Sequence, residues 1–195
     1  MKKTLFSVLA VILIGSQALK AQTKWALDKS HTDIRFTATH MVISEVDGEF
    51  KEVDGTVETT SDDFVGAQVQ FVAKVASIDT DNERRDGHLK SDDFFNAEMY
   101  PEIKFNGKIV KEGDNLFLVG DFTMRDVTKP IKFDVKYNGQ VPGRGGRKAG
   151  FKINGSIDRF EYGLKWDNAM ETGELVVSKE IQITCNVELN EVAGS

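Results

Sequence analysis

The segment IQITCNVEL at residues 181–189 places an apolar side chain at every second position, with polar side chains between them. The same alternation occurs in IRFTA at 34–38, VQFVAKV at 69–75 and IKFDVKY at 131–137. Because successive side chains of a strand point to opposite faces of a sheet, each segment has one apolar face and one polar face. Several such strands in one small chain hide their apolar faces by closing into a barrel or stacking as a sandwich. The alternation therefore predicts an all-β protein.

Turn-forming stretches such as EGDN at 112–115 and PGRGG at 142–146 separate the alternating segments. The predicted strands are 24–28, 33–41, 49–59, 67–78, 102–111, 115–125, 130–141, 147–158 and 174–190. The stretch 81–97 is charged, does not alternate and predicts a short helix with Asp81 or Asn82 as its N-cap. We therefore predict an antiparallel barrel of about eight strands, with a helical insertion across one of its openings.

The N-terminal residues have the composition of an export signal. A basic start, MKK, precedes an apolar run over 5–15 that ends in small and polar residues. This layout is typical of a secretory signal peptide cleaved after Ala21 or Ala18, and the run is short for the alternative, an uncleaved membrane anchor. We predict a signal peptide at 1–21 and one exported domain at 22–195, located in a bacterial periplasm or secreted.

Charge and cysteine content limit the partners of this domain. Without the leader, 22 basic residues remain against 31 acidic ones, a net charge of −9. This charge disfavours nucleic acid and anionic membrane surfaces as partners, and we expect no stable membrane insertion after signal cleavage. Cys185 is the only cysteine. No internal disulfide can form, and its place on the apolar face of its segment predicts a buried thiol.

Motifs for metal, cofactor or catalysis are weak. Residues 79–83 resemble the start of a calcium loop, but Arg84 and Lys90 stand where that loop needs Gly and Glu. The three histidines have no paired metal-ligand spacing. No nucleophile elbow, phosphate-binding loop or dinucleotide fingerprint occurs. We therefore predict no metal site, no catalytic residues and no cofactor other than a bound ligand.

A few polar residues accompany the apolar pattern. His40 has the same strand parity as Phe36 and Ala38, so it is expected on the apolar face. Because burial of an unpaired imidazole is costly, His40 is either a core histidine bonded to backbone or an anchor for a ligand's polar group. Arg85 and Asp86 either form an ion pair that fixes the insertion or contact a ligand head group.

A barrel with an apolar interior can contain an apolar molecule, so the pattern favours a binding protein over an enzyme. The candidate ligand-binding residues of the wall are Phe36, Phe71, Phe105, Phe122, Phe133, Phe151 and Ile183, with His40 as the polar anchor. Each of them also fits ordinary core packing. The candidate polar or gate residues are Arg85, Asp86, His88, Phe94 and Phe95 of the insertion.

Four blocks of the chain are similar to the sequence blocks of one known family. They are WALDKSHTDIRF at 25–36, RDGHLKSDDFF at 85–95, GDFTMRDVTKPI at 120–131 and DRFEYG at 158–163. Their content and order resemble the YceI-like family. The resemblance implies a lipocalin-like antiparallel barrel that binds a polyisoprenoid chain, such as an isoprenoid quinone, or an amphiphile such as a fatty-acid amide. It implies no established catalysis.

The resulting hypothesis is an exported carrier of a long-chain lipid, with a homodimer as a further expectation. The rival hypothesis is an enzyme or redox-accessory protein acting on a quinone-like molecule, which needs convergent titratable groups in the cavity. A third hypothesis is a solid β-sandwich used for adhesion, which needs an exposed apolar patch instead of an internal void. The volume enclosed by the strands separates these three.

Overall fold

The computed structural model describes residues 22–194, so the predicted signal peptide at 1–21 lies outside the described residues. The strands are β1 Thr23–Leu27, β2 Asp33–His40, β3 Ser44–Phe50, β4 Val53–Thr59, β5 Gln68–Lys74, β6 Ile78–Asp79, β7 Glu102–Glu112, β8 Asn115–Met124, β9 Val127–Gly143, β10 Gly146–Asp158 and β11 Val177–Glu191. One α-helix of the described chain, α1 Glu83–Lys90, and two 3-10 turns, Val75–Ser77 and Arg159–Tyr162, complete the elements.

The strands close into an antiparallel barrel of eight strands. The order around the barrel is β1-β4-β5-β7-β8-β9-β10-β11, and β11 pairs with β1 to close the ring. The closing pairs include Trp25 with Glu191 and Leu27 with Leu189. Closure leaves no unpaired edge in this part of the sheet. The predicted all-β antiparallel barrel of about eight strands is confirmed.

Part of the barrel wall is bent, which the alternation did not predict. The segment predicted as one strand at 49–59 is two strands, because the chain turns at Lys51 and Glu52. Ser77 of a 3-10 turn holds this bend: its carbonyl accepts from Lys51 N at 3.2 Å, and its hydroxyl accepts from Glu52 N at 2.9 Å. Beyond the bend, β2, β3 and β6 extend the sheet from β11 as a side branch.

The insertion leaves the barrel where this branch ends. Helix α1 begins after Asn82, whose side-chain oxygen accepts from Arg85 N at 3.0 Å, as an N-cap does. The helix itself buries none of its residues. Its continuation supplies the apolar contacts, since Phe94 and Phe95 are buried. The predicted helical insertion is confirmed, with Asn82 as the cap.

The two ends of the barrel are covered differently. At one end, four aromatic rings form a closed cluster, which we call the floor; its members are Trp25, Phe64, Tyr137 and Phe151. The centroid of Phe64, which is fully buried, lies 5.1 Å from that of Trp25 and 4.9 Å from that of Phe151. At the other end lie residues 81–101 and 159–176, which we call the lid segments.

Candidate ligand cavity

The barrel encloses a cavity of about 210 Å³ between the floor and the lid segments. Its wall is nearly all apolar and takes residues from β1, β2, β3, β4, β5, β7, β8, β9, β10 and β11. The structure places these predicted wall residues on the lining: Phe36, Phe71, Phe105, Phe122, Phe133, Phe151 and Ile183. Their contact with a ligand stays a prediction. The hollow itself is incompatible with a fully packed β-sandwich.

Glycines explain why so many phenylalanines leave space between them. Three rings of the wall lie directly over strand glycines, namely Phe36 over Gly48, Phe105 over Gly107 and Gly120, and Phe133 over Gly155. A Cβ atom at Gly155 would lie 2.0 Å from Cδ1 of Phe133, and one at Gly48 would lie 2.3 Å from Cζ of Phe36. Only a residue without a side chain permits such an approach. The rings therefore lie along the wall instead of across the centre.

Two polar side chains among the described residues line the cavity and are themselves buried, Cys185 and Arg159. Burial raises the pKa of the Cys185 thiol to about 12, so the thiol stays protonated and behaves as a small apolar group. The predicted burial of this cysteine is confirmed, since its exposed fraction is 8%. Arg159 is 2% exposed and lies in the 3-10 turn that follows β10. The sequence reasoning did not identify Arg159.

His40 lies at the last position of β2, opposite Val177 of β11, and is half-buried. It is not among the residues that line the cavity. Its carbonyl accepts a hydrogen bond from Ile43 N at 3.2 Å, in the exposed turn that joins β2 to β3. The geometry therefore gives no support to His40 as a polar anchor.

Arg85 and Asp86 both bind Thr80, a buried residue at the end of β6, instead of each other. Asp86 Oδ1 accepts from Thr80 N at 3.0 Å, while Arg85 donates from Nε to Thr80 Oγ1 at 2.8 Å and from Nη2 to Thr80 O at 2.7 Å. The predicted ion pair is thus replaced by a shared partner, because Thr80 offers both a donor and acceptors between the two side chains. The insertion is fixed at its start, outside the cavity lining.

The remaining gate candidates lie at the lid. Phe94 and Phe95 line the cavity, as does Leu89 of α1. His88 does not line it; its Nε2 lies 2.9 Å from Asp93 Oδ2, and its ring meets those of Phe94 and Trp166 edge-on, at 5.0 and 5.7 Å. His88 therefore connects the two lid segments, since Trp166 belongs to the second.

A charged cluster that the sequence did not reveal lies outside the cavity. Ligand atoms of Asp28, His31 and Glu188 lie within 4.8 Å of one another. Lys148 Nζ bonds Asp28 Oδ2 at 2.9 Å and Glu188 Oε1 at 2.5 Å. Hydrogen bonds from Ser30 and Lys148 hold the pKa of Asp28 well below its usual range. Because the ammonium group bonds both carboxylates, the cluster ties the β1–β2 turn to β10 and β11.

Within residues 22–194, no helix combines the length and the apolar character that a bilayer span requires.

Comparison with known proteins relates this barrel to one family. A family model described as a YceI-like domain matches residues 25–189. A UPF0312 protein of Staphylococcus epidermidis is 34% identical over 170 residues, which cover 86% of this chain and 98% of the relative.

Two solved structures illustrate the similarity in fold. A Campylobacter jejuni YceI protein has a TM-score of 0.68 at 32% identity, covering 85% of this chain and 96% of its own. A domain of Saccharophagus degradans, described as polyisoprenoid binding, has a TM-score of 0.66 at 12% identity, covering 86% of this chain and 98% of its own. The second likeness shows the fold alone.

Proposed function

Because the chain belongs to the YceI-like domain family, we propose that it is an exported carrier that holds one long-chain amphiphilic lipid in the barrel cavity. The observation that carries the proposal is the hollow itself. It is lined almost wholly by apolar groups, and the aromatic floor closes one of its ends. Empty apolar volume of this kind remains dry and is favourably filled by hydrocarbon.

The energetics indicate that the tail of the ligand dominates its affinity. Each buried methylene contributes about 0.8 kcal/mol, whereas a neutral hydrogen bond contributes about 0.5–1.5 kcal/mol net. Ordering a flexible chain opposes part of this gain. The cavity of about 210 Å³ is smaller than the roughly 300–1,000 Å³ of pockets that enclose drug-sized ligands. A slim unbranched or isoprenoid chain therefore fits better than a molecule of fused rings.

The Saccharophagus degradans domain makes polyisoprenoids the first ligand class to test, with isoprenoid quinones and fatty-acid amides next. Binding is favoured over catalysis by the cavity lining. Within residues 22–194 no Asp, Glu or His lines the cavity, and the raised pKa of Cys185 keeps the thiolate scarce. A general acid paired with a general base, which an enzyme acting on a quinone-like molecule needs, is not assembled there.

The first experiment analyses the native ligand. The full chain is expressed in a Gram-negative host, purified from the periplasmic fraction without detergent and extracted with organic solvent for mass spectrometry. We expect a long-chain lipid in a nearly stoichiometric amount. Repeated extracts without lipid, together with no saturable binding of polyprenols or fatty-acid amides to the purified protein, would refute the proposal.

Two neighbouring residues of β11 provide a matched pair of variants. Ile183 lines the cavity, whereas Gln182 is exposed on the outer face. The Ile183→Phe variant fills part of the hollow, and we expect it to weaken lipid binding roughly tenfold or more, the equivalent of about two buried methylenes. The Gln182→Phe variant adds the same ring outside and should leave the affinity unchanged.

A further inference from the structure

Arg159 brings a buried positive charge to the wall of a nearly all-apolar cavity, whereas the other arginine of the lining, Arg35, is exposed. Its guanidinium is held by backbone carbonyls alone: Nε donates to Ser178 O at 2.9 Å, Nη1 to Leu164 O at 2.8 Å and Nη2 to Val177 O at 3.0 Å. These three bonds fix the group between β11 and the second lid segment.

No carboxylate of the described chain forms an ion pair with Arg159. The adjacent Asp158 is bound elsewhere: one oxygen accepts from Phe160 N at 3.0 Å, and the other lies 3.4 Å from Lys179 Nζ. Burial lowers the pKa of Arg159, and the nearby charges of Asp158 and Asp167 oppose this lowering without cancelling it. Burying a charge without a paired counter-ion costs free energy. The presence of Arg159 at this position therefore indicates a role for its charge.

The guanidinium also has unused bonding capacity. Arginine carries five N–H donors, and the three bonds to backbone carbonyls use one on each nitrogen. One N–H therefore remains on Nη1 and one on Nη2. These two donors are suited to the oxygen atoms of a carboxylate or phosphate, which guanidinium groups commonly bind.

The position of Arg159 suits the head group of an amphiphile. The guanidinium carbon lies 4.4 Å from the centroid of Phe160 and 5.8 Å from that of Phe94, a gate residue of the first lid segment. The floor closes the opposite end of the barrel. A tail that extends to the floor therefore leaves its head group at the lid end.

We propose that Arg159 binds the anionic oxygen head group, carboxylate or phosphate, of an amphiphile whose tail fills the cavity. The inference rests on the proposed function, because it needs a ligand in the barrel. It adds a preference for anionic amphiphiles over neutral amphiphiles with the same tail. The alternative is a purely structural arginine that fastens the lid.

Arg125 provides a matched control for that alternative. It is half-buried and does not line the cavity, but its Nη1 also fastens the lid, donating to Phe94 O at 2.5 Å and to Gly163 O at 3.0 Å. The Arg125→Gln variant therefore loosens the lid without removing charge from the cavity. It should weaken the binding of charged and neutral ligands by the same factor.

The test measures a ratio of dissociation constants for ligands with one tail and two head groups. Delipidated protein is titrated with hexadecanoate and hexadecanol for the carboxylate source, and with farnesyl phosphate and farnesol for the phosphate source. We expect at least one anion to bind roughly tenfold tighter than its alcohol, the effect of one charge-assisted hydrogen bond. The pair with the larger ratio identifies the head group.

The variants separate recognition from folding. In Arg159→Gln the ratio should fall to about one, in Arg159→Lys it should be partly retained, and in Arg125→Gln it should stay at the wild-type value. Equal binding of anion and alcohol by the wild-type protein, or an unchanged ratio in Arg159→Gln, would overturn the assignment and leave the carrier proposal standing. Failure of all four ligands and of the polyprenols to bind would overturn both. The ratio of dissociation constants for the wild-type protein tests the assignment even if Arg159→Gln does not fold.

Discussion

The substitution Gly155→Ala tests whether glycines keep the cavity open. The new Cβ atom would lie 2.0 Å from Cδ1 and 2.6 Å from Cε1 of Phe133, distances that no stable contact allows. The backbone of β10 is fixed by its pairing with β9 and β11, so the ring has to move. Phe133 lines the hollow, which offers free space on its inner side, and we expect the ring to turn into it.

The magnitude follows from two opposing effects. Overpacking in a core lowers the free energy of unfolding by about 1–3 kcal/mol. Replacing glycine by alanine also restricts the unfolded chain, which raises the free energy of unfolding by about 0.4–1 kcal/mol. Because the hollow accepts the displaced ring, we expect a net loss of about 1 kcal/mol, or a fall in Tm of roughly 2–4 °C for a domain of this size. Lipid affinity should fall more clearly than stability, since the ring occupies space that the tail needs.

The control lies in the same strand. A Cβ atom at Gly150 would come no closer than 3.6 Å to any neighbour, so Gly150→Ala should leave Tm and affinity unchanged or raise Tm slightly. Thermal unfolding and lipid titration of both variants are the assays. A third variant, Gly155→Ala with Phe133→Leu, should recover part of the lost affinity. If both alanine variants matched in Tm and affinity, glycine contacts would not be what holds the rings against the wall.

Three further predictions concern other parts of the molecule. Val42, a β-branched residue with a φ of 66°, should gain about 1 kcal/mol of stability in Val42→Gly, whereas Ile43→Gly should gain nothing; denaturant titration measures both. Hydrogen bonds from Arg147 lower the pKa of Glu191 to about 2, so their stabilisation is complete above pH 4.5 and is lost as the pH falls towards 2. Glu191→Gln should remove this part of the acid transition, on the order of 1 kcal/mol, since the pair borders solvent. Cys185, with a pKa of about 12, should react with maleimide only as fast as the protein opens, and a labelling rate equal to that of a free thiol would contradict its burial.

The strands and the wall were predictable because alternation follows from covalent geometry. Side chains alternate along a strand, so the positions of Phe36, Phe105 and Phe133 within their own strands determine which face each ring occupies. Neighbouring strands do not change this. The bend at Lys51 and Glu52 was not predictable in this way, because Ser77, which holds it, is distant in sequence. Local pattern contains no information about such a contact.

The polar part of the cavity was the least predictable. Strand parity predicted His40 on the apolar face, but His40 is the last residue of β2 and does not line the cavity. Arg159 follows a strand in a 3-10 turn, where parity no longer indicates direction. Its place in the family-like block DRFEYG marked the segment but did not show that this side chain faces the cavity. Phe64 of the floor lies in a turn with a φ of 58°, again outside any alternating segment.

The floor has a consequence for the choice between tails of different length. A barrel closed at one end sets a maximum depth, so each added carbon should increase affinity only until the terminal methyl group reaches Phe151, which lines the cavity and packs against Phe64. Carbons beyond that length gain nothing, because they stay at the rim in contact with water. A homologous series of alcohols should therefore show a rise in affinity followed by a plateau. The chain length at which the plateau begins would measure the depth of the cavity.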